Sequence, residues 1–278
     1  MGKTLFITDL DGTLLNKDAK ITPVTAEIIN NLIDEGMIFT YASARGYAMA
    51  SKFAGEINFK YPAVQHNGGC IQNPQTGEYF HKCIFGKNIV SEIIRKFQSN
   101  NIFPLVYAFI DGEERYSWIS GEKTGGETKI FLESRKNDKR KRPVENYGDF
   151  LEGDIHAFLL VNKSPEELRG ILDILNLNEY FTHHIQKDTY SELYFLDIIR
   201  FDAGKDSAVY KVKELTGADK IVCFGDNIND IPMFNVSDEK YAVANAIDEV
   251  KKIATDIIGS NNDDGVAMWL QKNARNYF

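Results

Sequence analysis

The chain has 278 residues, 43% hydrophobic and 26% charged, enough to bury a sizeable core in one large domain or two smaller ones. A formal net charge of −8 argues against nonspecific nucleic-acid binding. Cys70, Cys83 and Cys223 lack CxxC spacing and are too few for a disulfide framework, so buried thiols in a reducing cytoplasm are the expectation. No apolar run approaches the ~20 residues that cross a membrane, and the chain reaches an acidic strand end by Asp9, so no signal peptide is expected.

The first element is Leu5-Phe6-Ile7-Thr8-Asp9-Leu10-Asp11-Gly12-Thr13-Leu14-Leu15. A short apolar run closed by a Gly-Thr turn predicts a buried strand. Ligands of a parallel α/β sheet bind beyond the carboxyl ends of its strands, which places Asp9 and Asp11 at the mouth of the sheet. If the strand continues through both, their carboxylates share a face and converge. Two close anions need a neutralising partner, and a hard divalent ion with oxygen ligands, most simply Mg²⁺, would supply it. Solvated acids at a strand end are the alternative.

Lys17 to Lys20 reads as a loop. Thr22-Pro23 supplies an N-cap oxygen followed by proline, Ile28, Ile29, Leu32 and Ile33 recur at helical spacing, and Gly36 is a stop. Met37 to Ala42 predicts a second buried strand, ending in Ser43-Ala44-Arg45, with a helix following to about Ala54. This β-α-β-α pattern predicts an α/β fold: a Rossmann-like parallel sheet with helices on both faces. Ala63 to Gln65 is a third short strand, and Asn67-Gly68-Gly69 signals a turn into hairpin strands over Cys70 to Ile84.

The character changes near Phe85. Ile89 to Phe97 and the stretch after Ser164-Pro165-Glu166-Glu167, to about Leu175, predict helices. Strands are predicted for Phe103 to Ile110, Arg115 to Ile119, Ile155 to Val161, Tyr180 to Lys187 and Leu193 to Ile198. We place an inserted α/β domain at 85–189 and the first domain at 1–84 and 190–278. The basic stretch Arg135 to Arg142 is expected to be a solvated loop of the insertion, with a nucleic-acid patch as its sharper alternative. Tyr107, Tyr116 and Trp118 are candidates for a sugar-binding surface or for core. The first pattern then resumes with a helix over Gly204 to Leu215, a strand over Lys220 to Phe224 and the run Gly225-Asp226-Asn227-Ile228-Asn229-Asp230. Late strands at Tyr241 to Val243 and Asp256 to Ile258 alternate with helices at Ile247 to Ala254 and Gly265 to Lys272.

Asp9 and Asp11, Ser43, Lys205, then Asp226 and Asp230 thus fall in order at strand ends or helix starts. Singly, Ser43 suits a turn, Lys205 an exposed helix start, and Asp226 with Asp230 a solvated helix N-terminus. Together the sequence resembles the haloacid dehalogenase superfamily. Asp9-Leu10-Asp11-Gly12-Thr13 matches its nucleophile motif, Ser43 its second, Lys205 its third, and Gly225 to Asp230 its acidic fourth. The insertion resembles the cap of subclass IIB, the Cof-type phosphatases. Ala44 departs from that group's usual glycine.

The resemblance implies a Mg²⁺-dependent phosphatase of a small phosphorylated metabolite, such as a sugar phosphate, with neither nucleic acid nor membrane as partner. In it Asp9 is the nucleophile and Asp11 the general acid and base. Asp9, the Asp11 carbonyl and Asp226 hold the metal, with Asp230 beside it. Ser43, Lys205 and Asn229, with backbone N–H groups of Leu10, Asp11 and Ala44, bind phosphate. The residue types suit that chemistry. A carboxylate attacking phosphate meets roughly 4 kcal/mol of repulsion per charge pair at about 4 Å and an effective dielectric near 20, so cations must offset it. A phosphomutase of the same superfamily is the nearest rival. A phospho-aspartate receiver module is the rival from another class, disfavoured by Gly12-Thr13 and by the insertion.

Overall fold

The computed structural model describes residues 2–53, 55–177 and 179–278. The chain forms two compact units, one of Met1–Lys82 with Ala203–Phe278 and one of Cys83–Asp202.

The first unit begins with β1 (Thr4–Thr8), α1 (Pro23–Asp34), β2 (Ile38–Tyr41) and α2 (Tyr47–Phe53). Thr22 caps α1 by accepting from the Thr25 backbone N–H, and Pro23 sits where a missing N–H costs nothing. The end expected for α2, about Ala54, lies outside the described residues. Next come β3 (Ala63–Gln65), β4 (Cys70–Gln72) and β5 (Tyr79–Lys82), a small antiparallel sheet in the order β3-β4-β5.

The second unit contains α3 (Lys87–Ser99), β6 (Leu105–Ile110), β7 (Glu113–Ile119), α4 (Gly126–Ser134), β8 (Lys141–Val144), β9 (Asp154–Asn162), α5 (Pro165–Leu175), β10 (Phe181–Lys187) and β11 (Tyr194–Arg200). They form a sheet in the order β10-β11-β9-β6-β7-β8. On one face Val106, Phe158, Leu196 and Ile198 pack with Ile93 and Phe97 of α3 and Leu168 and Leu172 of α5. The unit does not end at 189. Tyr194 to Ile199 pair antiparallel with β9 and Tyr194 to Arg200 with β10, so this apolar strand completes the second sheet.

The basic stretch is a loop only as far as Arg140, with Lys136 and Lys139 exposed; Lys141 and Arg142 begin β8, and the arginines are engaged by the unit itself. Arg140 pairs with Glu114 and with Asp138, the latter at 2.7 Å, with all three side chains mostly buried. Arg142 bonds Ser117 Oγ at 3.0 Å and pairs with Glu152, and Arg135 stacks over the Phe131 ring. These cations fasten β8 to its own unit. Tyr107 and Tyr116 are buried aromatic neighbours, with ring centroids 5.4 Å apart.

The first unit then resumes with α6 (Lys205–Thr216), β12 (Lys220–Gly225), α7 (Ile231–Val236), β13 (Glu239–Val243), α8 (Asp248–Ile253), β14 (Asp256–Ile258) and α9 (Gly265–Asn273). Its main sheet has the order β14-β13-β12-β1-β2, and every neighbouring pair is parallel. Helices cover both faces of such a sheet, which is why β1 and even the edge strand β2 are buried at every position. α1 contributes Ile28, Ile29, Leu32 and Ile33 to the cover, and α6 contributes Ala208, Val209 and Val212. Parallel register brings Thr8 beside Phe224 and Tyr41, so the carboxyl ends of β1, β12 and β2 open on the same rim.

Candidate active site

At that rim β1 stops at Thr8, and the Asp9 backbone N–H donates to the Phe224 carbonyl at 3.0 Å. The chain then bends. Gly12 has φ +80°, and a Cβ there would lie 2.5 Å from Asp226 Oδ2, so glycine serves both the turn and the close approach. Asn245 fixes the bend by donating its side-chain N–H to the Gly12 carbonyl at 2.7 Å, and the Thr13 hydroxyl donates to Asp226 Oδ1 at 2.6 Å. The two first-strand acids therefore take different partners. Asp9 points into the buried cluster, whereas the Asp11 carboxylate receives Arg45 Nε and a terminal guanidinium nitrogen at 2.6 and 2.7 Å.

The buried cluster consists of Asp9, Asp226 and Asp230, each offering a carboxylate oxygen within 4.8 Å of the others. Lys205 opens α6 and is 1% exposed. Its Nζ donates to Asp9 Oδ1 at 2.6 Å and to Asp230 Oδ1 at 2.7 Å. Asp230 Oδ2 accepts from the backbone N–H groups of Asp226 and Asn227 at 2.9 and 3.0 Å. Both oxygens of Asp230 are thus engaged by the protein, and Asp9 and Asp226 face each other with one lysine between three acids. Burial pushes the Asp9 carboxyl up to about 7; Lys205 opposes the rise, while Asp230 and Asp11 add to it. Asp226 is also held well above the ordinary carboxylate range, by burial first and by Asp230 and Asp9 next. Burial alone would lower Lys205, but its pairs with Asp230 and Asp9 outweigh that and hold the ammonium form. An excess of buried negative charge built from hard oxygen ligands is what a divalent cation would relieve.

The structure places the remaining candidates on the same unit. Ser43 is buried at the end of β2, and its Oγ accepts the Arg45 backbone N–H at 3.1 Å. Among the described residues, the backbone N–H groups of Leu10 and Ala44 donate to no protein acceptor. Asn229 is buried on the turn after β12 and donates from Nδ2 to Asn67 Oδ1 at 3.1 Å. Asp11 is not one of the three clustered acids; its carboxylate pairs with Arg45 and adds to the rise of Asp9. Sequence reasoning gave Thr13 a place only in the turn and motif after Asp11, Asn67 only a place in a turn, and no role to Arg45 or Asn245. Arg45 was visible in Ser43-Ala44-Arg45, but nothing in its spacing tied it to Asp11.

A family model described as haloacid dehalogenase-like hydrolase matches residues 6–270. The chain is 26% identical over 286 residues to the 5-amino-6-(5-phospho-D-ribitylamino)uracil phosphatase YwtE of Bacillus subtilis, covering 95% of this chain and 96% of that one. A solved structure from Thermotoga maritima is similar with a TM-score of 0.78 at 24% identity, covering 98% of this chain and 97% of the other. A haloacid dehalogenase subclass IIB sugar phosphatase shares the fold with a TM-score of 0.74 at 17% identity, covering 98% and 99%.

Proposed function

The chain belongs to the haloacid dehalogenase-like hydrolase family and is a phosphatase, and on that premise we propose that it hydrolyses a small phosphorylated metabolite through an aspartyl phosphate on Asp9, with Mg²⁺ as cofactor. The observation that carries this reading is the group Asp9, Asp226 and Asp230 bridged by Lys205. The donor set fits the metal. Asp9 and Asp226 are acidic, buried and deficient in positive charge, and they would hold it together with the Asp11 backbone carbonyl. Asp230, whose oxygens serve Lys205 and the turn, would sit beside it. When bound, the ion would offset the charge of the phosphate and of the attacking carboxylate.

In this reading the carboxylate oxygen of Asp9 that does not face Lys205 attacks phosphorus. The ester P–O bond breaks, and its electron pair leaves with the alcohol oxygen, which takes a proton from Asp11. Asp11 then accepts a proton from water as that water attacks phosphorus, releasing inorganic phosphate and restoring Asp9. Lys205 neutralises charge on Asp9 and on the phosphoryl oxygens. Ser43, Asn229 and the N–H groups of Leu10, Asp11 and Ala44 hold those oxygens. Arg45 holds the Asp11 carboxylate in place at the bend.

The substrate we favour is a phosphomonoester of a polyhydroxylated carbon chain: a sugar phosphate or a phosphorylated sugar alcohol. That class contains what the names of the Bacillus subtilis relative and of the subclass IIB neighbour describe for those proteins. We assign Cys83–Asp202 the role of the cap, and the cytoplasm as the location. No helix among the described residues is long and apolar enough to cross a membrane. The test is phosphate release from p-nitrophenyl phosphate and from a panel of sugar and polyol phosphates, with Mg²⁺ and with chelator. Turnover should need the ion and vanish in Asp9→Asn. Turnover surviving that change sinks the nucleophile assignment, and isomerised ester without free phosphate would mark a mutase instead.

A further inference from the structure

The turn after β3 has an unusual backbone. His66, Asn67 and Gly68 have φ of 50°, 52° and 105°, three successive residues in the left-handed region. Two of them carry side chains that disfavour it, and such strain persists only where surrounding contacts fix it. The contacts are specific. The Asn67 backbone N–H donates to the Ser43 carbonyl at 3.1 Å and that of His66 to the Arg45 carbonyl at 3.3 Å. Gly68 lies against the residue preceding Lys205: a Cβ on it would fall 2.1 Å from the Gly204 carbonyl oxygen. Asn67, 1% exposed, accepts from Asn229 Nδ2 at 3.1 Å. One tight turn therefore touches the Ser43 loop, the start of α6 and the Asn229 turn, three segments far apart in sequence.

We propose that Asn67 is a positioning residue for phosphoryl binding, whose side-chain oxygen fixes the orientation of the Asn229 amide while its backbone N–H secures the Ser43 loop. The inference rests on the reading of Asn229 as a phosphate donor. A carboxamide has two N–H bonds and can rotate to exchange its oxygen for its nitrogen. With one N–H tied to Asn67 Oδ1, the other keeps a fixed direction. Without that acceptor the amide is free to present its oxygen to a phosphoryl oxygen, which repels it. Asparagine suits the post because its short polar side chain tolerates the left-handed conformation better than most.

Asn67→Gly isolates the side chain. Glycine keeps the left-handed backbone and the bond to Ser43 without strain, and only the amide is lost. We expect Asn229→Ala to lower kcat about 10²-fold, the usual scale for one lost transition-state donor. Asn67→Gly should lower kcat about tenfold and weaken orthovanadate inhibition by a similar factor, with a smaller fall in melting temperature than Asn67→Ala. The double variant should match Asn229→Ala alone, because a positioner has no effect once its target is gone. Asn67→Ala, which must also bear the backbone strain, should lose more melting temperature. Asn229→Ala with wild-type kcat would remove the phosphate role of Asn229 and with it the premise. A slow Asn229→Ala beside an Asn67→Gly of wild-type kcat and vanadate inhibition would overturn the positioning role alone. So would a double variant slower by the product of the two single effects.

Discussion

Replacing Lys205 with methionine removes one charge and keeps most of the side-chain volume. The ammonium is 1% exposed and contacts Asp9 and Asp230 at 2.6 and 2.7 Å. Each pair is worth roughly 4 kcal/mol at about 4 Å with an effective dielectric near 20, so about 8 kcal/mol is lost in gross attraction. Methionine recovers the cost of desolvating the ammonium, and the net penalty for breaking a buried pair is about 3–5 kcal/mol. At about 2–4 °C per kcal/mol, that is a fall in Tm of roughly 10 °C. The sign with pH follows from Asp9, whose carboxyl lies at about 7 in the folded chain against an ordinary 3.8. A carboxyl raised on folding costs nothing while both states are protonated, and stability is lost as pH rises from the ordinary value through the folded one. Without Lys205 the carboxyl rises further, so the deficit of Lys205→Met should be larger at pH 8 than at pH 5. Thermal denaturation of both proteins in chelator, at both pH values, measures it. A deficit independent of pH, or none at pH 8, would refute the view that this amine holds three mutually repelling acids together.

Two more outcomes follow from the same geometry. Divalent-ion binding must displace the protons that burial favours on Asp9 and Asp226, so Mg²⁺ affinity, followed by calorimetry, should fall by at least about tenfold per pH unit below about 7; a flat profile from pH 5 to 8 would contradict this. Arg45→Ala removes the two-pronged partner of Asp11, so turnover of an alkyl phosphate should fall about 10²-fold, while p-nitrophenyl phosphate, whose leaving group needs little protonation, should lose less than about tenfold. Equal losses with the two substrates would show that Arg45 does not serve proton transfer.

Much of the site was legible because alternation of strands and helices dictates where strand ends go. Once β1, β2 and β12 are parallel neighbours, Asp9, Ser43 and Asp226 must share a rim however far apart they are in sequence. What was not legible depends on local detail or on partner choice. Which partners Asp9 and Asp11 take turned on the strand stopping at Thr8 and Gly12 entering the left-handed region, which a pattern of apolar residues does not encode. β9, β10 and β11 are all legible as strands, but their pairing with one another is not, since apolar alternation says that a strand is buried and not against what. β8 was missed because Lys141-Arg142-Pro143-Val144 reads as a solvated loop until the ion pairs around it are seen. α4 starts at a Gly-Gly pair and buries only Phe131, leaving little helical periodicity to detect.

Asp230 has a chemical consequence of its own. One of its oxygens receives the lysine amine and the other ties down two backbone N–H groups of the loop that carries Asp226. An amide of the same shape has only one acceptor atom. In Asp230→Asn, whichever way the new side chain settled, it would have to abandon either the cation or the loop. The smallest possible edit at this position therefore forces a choice between charge balance and shape, and the unedited carboxylate meets both demands.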